Sequence, residues 1–107
     1  MNVITNNNIK CTIALAGLQQ VTDPEIGLNV VDLGLIYQLD FDEAGRKIYA
    51  QMTLTTQMCP MGESLVDEVT NALQTTFPTE DVDVVLTFDP RWNAERISDE
   101  GQIFLNK

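Results

Sequence analysis

Two runs of alternating apolar and polar residues, separated by a short turn sequence, constrain the fold of this chain most strongly. Residues 35–41 and 48–54 each alternate with the period of two that is typical of a β-strand with one buried face. Between them, Asp42-Glu43-Ala44-Gly45 is typical of a turn. The pattern therefore predicts a β-hairpin.

Helical periodicity flanks this hairpin. Apolar residues recur mostly at gaps of three and four over residues 9–21, after asparagines that suit a helix N-cap, and again over residues 61–77. Pro24 ends the first of these helices, because a proline disfavours helical geometry in the residue before it. Pro60 suits the first turn of the second helix, and Pro78 ends it.

A third alternating run covers residues 82–88, and a short tail over residues 94–105 is expected to be helical. The predicted order is α-β-β-α-β-α. It indicates an α+β fold, a two-layer sandwich in which helices pack on a small mixed sheet made of the hairpin and the third strand. At 107 residues, we expect one domain over residues 1–107, with a flexible start over residues 1–8.

The chain is strongly acidic, with 16 Asp and Glu against 6 Lys and Arg and a net charge of −10. Proteins bind nucleic acid largely through Lys and Arg that neutralise phosphates, so neither nucleic acid nor an anionic membrane is an expected partner. Apolar residues form no run of about 18, so no membrane span is predicted. The first eight residues carry no targeting pattern, and we expect a cytoplasmic protein.

The chain contains no histidine. Ser-His-Asp and Cys-His catalysis, and the binding of zinc or haem through histidine, all need an imidazole. These classes are excluded, and any chemistry must rely on carboxylates or thiols. The sequence also lacks a Gly-rich phosphate loop, an EF-hand and a nucleophile elbow.

Cys59 is the strongest candidate for chemistry. It lies between the end of the second predicted strand and the start of the second predicted helix. Backbone N–H groups and the dipole at a helix N-terminus favour a thiolate, which attacks electrophiles or binds metal. The alternative is a buried cysteine that only fills space. The other cysteine, Cys11, shares a helix face with Leu15 and Leu18, so we expect it to be a free thiol in the core.

The acid loop, residues 23–33, is the second candidate. Its carboxylates are those of Asp23, Glu25 and Asp32. In one interpretation they cap backbone N–H groups within turns. In the other, the loop folds beside Cys59 and surrounds the thiol with acids and with the hydroxyls of Thr55 and Thr56.

Trp92 is the only tryptophan. A single tryptophan is more often a lid on the core than a binding residue, although tryptophan is enriched at interface hot spots. Its two interpretations are therefore a core contact and a partner surface.

Several motifs together suggest a family. They are Asp23-Pro24-Glu25-Ile26-Gly27, residues 29–37, residues 52–56 with Cys59-Pro60, Phe88-Asp89-Pro90 with Trp92, and Ile97-Ser98. In these motifs, and over nearly its whole length, the chain resembles the metal-sulfur cluster biosynthetic domain family. That family contains the SufT-like accessory proteins of the SUF system and the PaaD-like proteins of the phenylacetate pathway.

The resemblance implies a compact α/β domain with a surface pocket and a role in iron-sulfur cluster assembly or delivery. Carried over to this chain, the pocket residues are Asp23, Glu25, Asp32, Thr55, Thr56 and Cys59. Two departures stand out. Arg91 lies where the family often has a second proline before the tryptophan, and the C-terminal cysteines of PaaD-like members are missing, which disfavours the phenylacetate branch.

Three functions stay open at this point. In the first, Cys59 transiently holds an iron-sulfur cluster or iron; because one thiolate cannot complete a four-thiolate cluster, the other ligands must come from a second copy, a partner protein or a small thiol. In the second, the chain is a protein-interaction adaptor that binds no metal. A thiol enzyme ranks last, because the chain offers no histidine base and no resolving cysteine. The expected partners are the iron-sulfur assembly machinery or client proteins, or a second copy in a homodimer.

Overall fold

The architecture was taken from a computed structural model, which describes residues 3–55 and 62–106. Its elements follow the order β-α-β-β-α-β-α. They are β1 (Ile4–Thr5), α1 (Asn8–Leu18), β2 (Ile36–Asp42), β3 (Lys47–Met52), α2 (Gly62–Thr76), β4 (Asp81–Leu86) and α3 (Asp99–Leu105), with a short 3-10 helix, Ala94–Arg96, before α3.

The four strands form one mixed sheet in the order β1-β2-β3-β4. The predicted hairpin is the antiparallel pair of β2 and β3, in which Leu39 lies opposite Ala50 and Phe41 opposite Ile48. The outer strands β1 and β4 each run parallel to their neighbour. The predicted α+β fold, with helices packed on a small mixed sheet, is confirmed.

The hydrophobic core lies on one face of this sheet. The inward residues of the hairpin, among them Leu39, Ile48 and Ala50, are almost fully buried together with residues of α1, α2 and the acid loop. Helix α1 packs against α2, and α2 packs against β4. The alternation that predicts the strands therefore also divides the hairpin between a helix-covered face and a face that these helices leave open.

The N-terminal helix differs from its prediction in length. It begins as expected, with Asn7 as N-cap accepting a hydrogen bond from the Lys10 N–H at 3.0 Å. It ends at Leu18, well before Pro24, because the Val21 carbonyl accepts a hydrogen bond from the Val30 N–H at 2.9 Å. Pairing with the acid loop draws residue 21 out of the helix.

The predicted order lacked β1, because a two-residue strand is too short to produce an alternating pattern. Ile4 and Thr5 pair with Gln38 and Leu39 of β2. The flexibility expected for residues 1–8 stays a prediction, as does the single-domain boundary. The predicted helical tail divides into two helices, because Ser98 begins α3 as its N-cap.

Candidate functional site

The structure describes four of the six predicted pocket residues. Thr56 and Cys59 lie outside the described residues. Of the remaining four, Glu25 is exposed, Thr55 is half-buried in a bend after β3, and Asp23 and Asp32 lie at opposite ends of the acid loop.

Asp23 is buried, with 2% of its surface exposed. Its carboxylate accepts a hydrogen bond from the Glu25 N–H at 2.9 Å, and its backbone carbonyl accepts one from the Gly27 N–H at 2.7 Å. This is the hydrogen bonding of a turn stabilised by its own aspartate. The capping interpretation of the acid loop therefore holds for Asp23.

Asp32 is half-buried and forms a wider hydrogen-bond network. Asn29 is its local partner: the Asn29 side-chain amide donates to Oδ2 of Asp32 at 2.7 Å, and Oδ1 of Asn29 accepts from the Asp32 N–H at 2.9 Å. Oδ1 of Asp32 accepts from the Ser98 hydroxyl at 2.8 Å, across 66 residues of sequence. Each carboxylate oxygen of Asp32 thus accepts a hydrogen bond from another side chain of the protein.

The sequence reasoning did not include Asn29 and Ser98 among the candidate residues, although both hold Asp32. For Asn29 a signal exists, since an asparagine three residues before an aspartate suits a reciprocal pair of side-chain to backbone hydrogen bonds. Ser98 precedes Asp99-Glu100, a typical helix start, and its hydroxyl accepts from the Gly101 N–H at 3.0 Å. Its second contact, with Asp32, depends on tertiary structure.

Backbone hydrogen bonds connect the acid loop to the end of β3. The Leu35 N–H donates to the Val30 carbonyl at 3.0 Å, and the Leu35 carbonyl accepts from the Thr53 N–H at 2.8 Å. The Thr87 N–H donates to the Met52 carbonyl at 2.8 Å on the other side. These bonds bring the backbone next to the acid loop to within two residues of Thr55, while the loop's predicted position beside Cys59 stays a prediction.

The C-terminal segment, residues 92–106, holds the end of the acid loop in place. The Trp92 indole N–H donates to the Leu33 carbonyl at 2.6 Å, and Arg96 Nε donates to the Gly34 carbonyl at 3.1 Å. Gly34 has φ of +74°, and a Cβ there would lie 2.7 Å from the Cβ of Arg96. Trp92 is half-buried against the core, so its predicted core contact is present, and Arg91 is exposed.

A cleft of about 320 Å³ lies beside Asp32, between the start of the chain and the C-terminal segment. Val31, Ile36 and Ile97 line its apolar side, and Arg96 and Glu100 are among its charged residues. None of the described pocket residues lines it.

The comparisons with known proteins agree with this architecture. The sequence profile of the iron-sulfur cluster assembly protein family matches residues 13–86, more than half of the chain. The chain belongs to the iron-sulfur cluster assembly protein family. The predicted family resemblance is thus confirmed, and the matched range contains all six predicted pocket residues.

Individual relatives match over most of their length. The chain is 38% identical over 91 residues to the Fe-S protein maturation auxiliary factor YitW of Bacillus subtilis, covering 85% of this chain and 88% of the relative. It is 35% identical to the Fe-S protein maturation auxiliary factor SufT of Staphylococcus aureus, covering 79% and 96%. The crystal structure of a domain of unknown function from Bacillus anthracis superposes with a TM-score of 0.82 at 34% identity, covering 90% of each chain.

The described part of this iron-sulfur cluster assembly protein contains one cysteine, and that thiol is unsuited to metal binding. Cys11 is free and buried in the core, as predicted. Burial raises the pKa of the Cys11 thiol, while a hydrogen bond with Thr5 acts in the opposite direction. Over residues 3–55 and 62–106, no group of three or more Cys, Asp or Glu side chains is arranged to hold a metal ion.

The described helices are short compared with the thickness of a bilayer. The longest helix, α2, has 15 residues, and no described helix combines the length and apolar character needed to cross a bilayer.

Proposed function

We propose that this chain is an auxiliary factor of iron-sulfur protein maturation, without enzymatic activity, that holds an iron-sulfur cluster or iron transiently on Cys59. Membership of the iron-sulfur cluster assembly protein family supports the general role. The names of the relatives from Bacillus subtilis and Staphylococcus aureus support an auxiliary part in maturation. The cluster is cargo in this proposal, taken from the assembly machinery and passed to a client protein.

The hydrogen-bonded connection between the acid loop and the end of β3 is the observation that supports Cys59 best. It fixes Leu35 against Thr53, and Cys59 follows Thr53 by only six residues of sequence. Asp32, with both carboxylate oxygens already hydrogen-bonded, belongs to the same connected segment. In the proposed pocket, Glu25, Asp32, Thr55 and Thr56 surround the thiol and orient the groups that approach it, while the buried Asp23 shapes the loop.

The chemistry of the cluster requires further ligands. A cluster with four thiolate ligands needs three beyond Cys59, and Cys11 is buried in the core. The proposed sources are a second copy of this chain in a homodimer, a partner protein or a small thiol. Because cytosolic conditions keep thiols reduced, we place this exchange in the cytoplasm.

An adaptor without metal is the second candidate, and the environment of Asp23 favours it. The Asp23 carboxylate is buried and accepts a hydrogen bond within its own turn, so it shapes the loop. If the other acids and Cys59 act in the same way, the loop docks a partner without touching metal. This function would survive Cys59→Ser.

Complementation in cells that lack the protein tests the proposal. We expect Cys59→Ser and Asp32→Ala each to weaken growth that depends on iron-sulfur enzymes. Cys11→Ala is the matched thiol control, and Asp67→Ala, an exposed acid in α2, is the matched acid control. Both controls should complement fully.

Thermal unfolding of each variant separates loss of function from loss of fold. Full complementation by Cys59→Ser would reject the carrier role and favour the adaptor. Equal loss with Cys11→Ala, in a variant that remains folded, would reject Cys59 as the specific site.

A further inference from the structure

The sheet has one face that none of the described helices covers. Leu39, Phe41, Ile48 and Ala50 point into the core under α1 and α2, so the residues that alternate with them in β2 and β3 point the other way. Tyr49 lies at the centre of that second side and is 43% exposed. We call this side the open face.

The strand register places aspartates on both sides of β3, in the neighbouring strands β2 and β4. Asp40 of β2 and Asp83 of β4 lie opposite Tyr49, one on each side. In the next row, Asp42 and Asp81 lie on either side of Lys47. Because directly paired residues on neighbouring strands point to the same side of a sheet, these six side chains share the open face.

Charge on the open face is not balanced within it. Four aspartates share the face with one lysine, whose ammonium group lies 5.1 Å from the centre of the Tyr49 ring. The β2–β3 turn adds Glu43 and Arg46, whose charges offset each other. Lys10 and Glu43 form an ion pair at 3.0 Å. Within residues 3–55 and 62–106, none of the four aspartates forms an ion pair with a lysine or an arginine.

The open face also has a concave part. A shallow depression of about 560 Å³ is lined by Asn6, Asp40, Asp42, Glu43 and Tyr49, among others. It combines carboxylates with an exposed aromatic ring. This is the surface chemistry that binds a guanidinium group, which pairs with carboxylates and stacks on aromatic rings.

The protein already contains one contact between a guanidinium group and a tyrosine ring. The Arg96 guanidinium lies 4.2 Å from the centre of the Tyr37 ring, and the Tyr37 hydroxyl donates to the Pro90 carbonyl at 2.8 Å. Tyr37 is 6% exposed as a result. Tyr49, on the neighbouring strand, has two flanking aspartates and no arginine of the described residues over its ring.

We propose that the open face around Tyr49 docks a basic, arginine-bearing surface of a partner protein. A second copy of this chain does not fit, because each copy carries a net charge of −10 and both open faces are acidic. Nucleic acids and anionic membranes are repelled for the same reason. The proposal does not depend on Cys59, so a failure of the cluster-carrier role leaves it standing.

The test uses an acetylated and amidated Arg-Gly-Arg-Gly-Arg peptide titrated into the full-length ¹⁵N-labelled chain. We expect saturable amide shifts at Asp40, Tyr49 and Asp83, with affinity that falls as salt is added. Asp40→Asn combined with Asp83→Asn should raise the Kd about fivefold, as the loss of two partly exposed charge contacts predicts.

The matched control removes the same charge elsewhere. Asp67→Asn combined with Glu68→Gln changes two exposed acids of α2, and it should alter the Kd by less than about twofold. Tyr49→Ala should weaken binding while the net charge is unchanged. Equal weakening by the two double variants, or shifts located mainly outside the open face, would overturn the proposal, as would the absence of saturable binding.

Discussion

The hairpin and the acid loop are neighbours in the structure but are held in place differently. In the hairpin, β2 and β3 form a ladder with one shift of register, between Ile36 and Gln38, and from Leu39 to Met52 the strand residues alternate between core and open face. The acid loop has no such ladder. It contributes Leu28, Val30 and Leu33 to the core, and hydrogen bonds from distant residues hold its end: from Trp92 to Leu33, from Arg96 to the adjacent Gly34 and from Ser98 to Asp32.

This difference separates the residues that stabilise the whole fold from those that position the acid loop. Many hydrogen bonds and core contacts stabilise the hairpin together, so its disruption destabilises the whole fold. The end of the acid loop, around Asp32, depends on a few long-range hydrogen bonds and can open locally while the rest of the core persists. Substitutions at the buried positions of the hairpin should therefore destabilise the whole fold, and substitutions at the C-terminal contacts should loosen the end of the acid loop first.

The largest expected effect comes from the hairpin. Leu39 is fully buried, and Leu39→Ala should lower the free energy of unfolding by about 2–5 kcal/mol, because it leaves a cavity in the core. Denaturant titration measures this loss. Ile4→Ala, at a residue that is 66% exposed in β1, is the control and should change stability by less than about 0.5 kcal/mol. Equal effects would contradict the placement of the core.

A pair of glycines tests the contact between the acid loop and the C-terminal segment. Gly27 and Gly34 both have positive φ, +83° and +74°, so alanine at either costs about 1–2 kcal/mol of backbone strain. Only at Gly34 does a Cβ also meet Arg96, whereas nothing lies within 4 Å of a Cβ at Gly27. Gly34→Ala should therefore destabilise the protein more than Gly27→Ala in parallel thermal melts. A larger destabilisation by Gly27→Ala than by Gly34→Ala would contradict the close contact between Gly34 and Arg96.

Ser98 tests the tie to Asp32 with a smaller effect. Ser98→Ala removes a helix N-cap and the hydrogen bond to the Asp32 carboxylate, and should cost about 1 kcal/mol. Hydrogen exchange should increase at the amides of the acid loop more than at those of β2 and β3. Ser98→Thr keeps the hydroxyl and should restore most of the protection. Uniform exchange across loop and hairpin would show that the contact does not hold the loop.

Cys11 gives the smallest effect, a dependence on pH. Because burial raises the pKa of its thiol, the unfolded chain loses this proton at a lower pH than the folded chain. The contribution of Cys11 to stability is therefore complete below the ordinary thiol pKa of about 8.5 and is lost as pH rises above it. Unfolding titrations from pH 7 to 10 should show a shallower decline for Cys11→Ala than for the parent chain. Identical slopes would contradict the burial of this thiol.

The sequence predicted those parts of the fold that depend on local periodicity. The alternation in residues 35–41 and 48–54 identified β2 and β3, and helical spacing with flanking prolines identified α2 closely. The short strand β1 escaped prediction because Ile4–Thr5 gains its partner only in the folded sheet. The early end of α1 likewise depends on pairing between residues 21 and 30, which periodicity does not contain.

Membership of the predicted pocket stays a prediction, and the sequence did not reveal how its described acids are held. Asp32 was selected from its motif, but its contacts with Ser98 cross 66 residues of chain. The capping role of Asp23 was one of two interpretations, and its hydrogen bond to the Glu25 N–H realises it. Thr56 and Cys59 lie outside the described residues, and their place in the pocket stays a prediction.

The most direct test of the proposed carrier role is anaerobic reconstitution with iron and sulfide. Visible absorbance and iron per chain would be measured for the parent chain, Cys59→Ser and Cys11→Ala. The proposal predicts stable colour in the parent chain and in Cys11→Ala, with about two irons per chain if two chains share one four-iron cluster, and loss of both signals in Cys59→Ser. A cluster retained by Cys59→Ser, or no bound cluster in any of the three proteins, would contradict it.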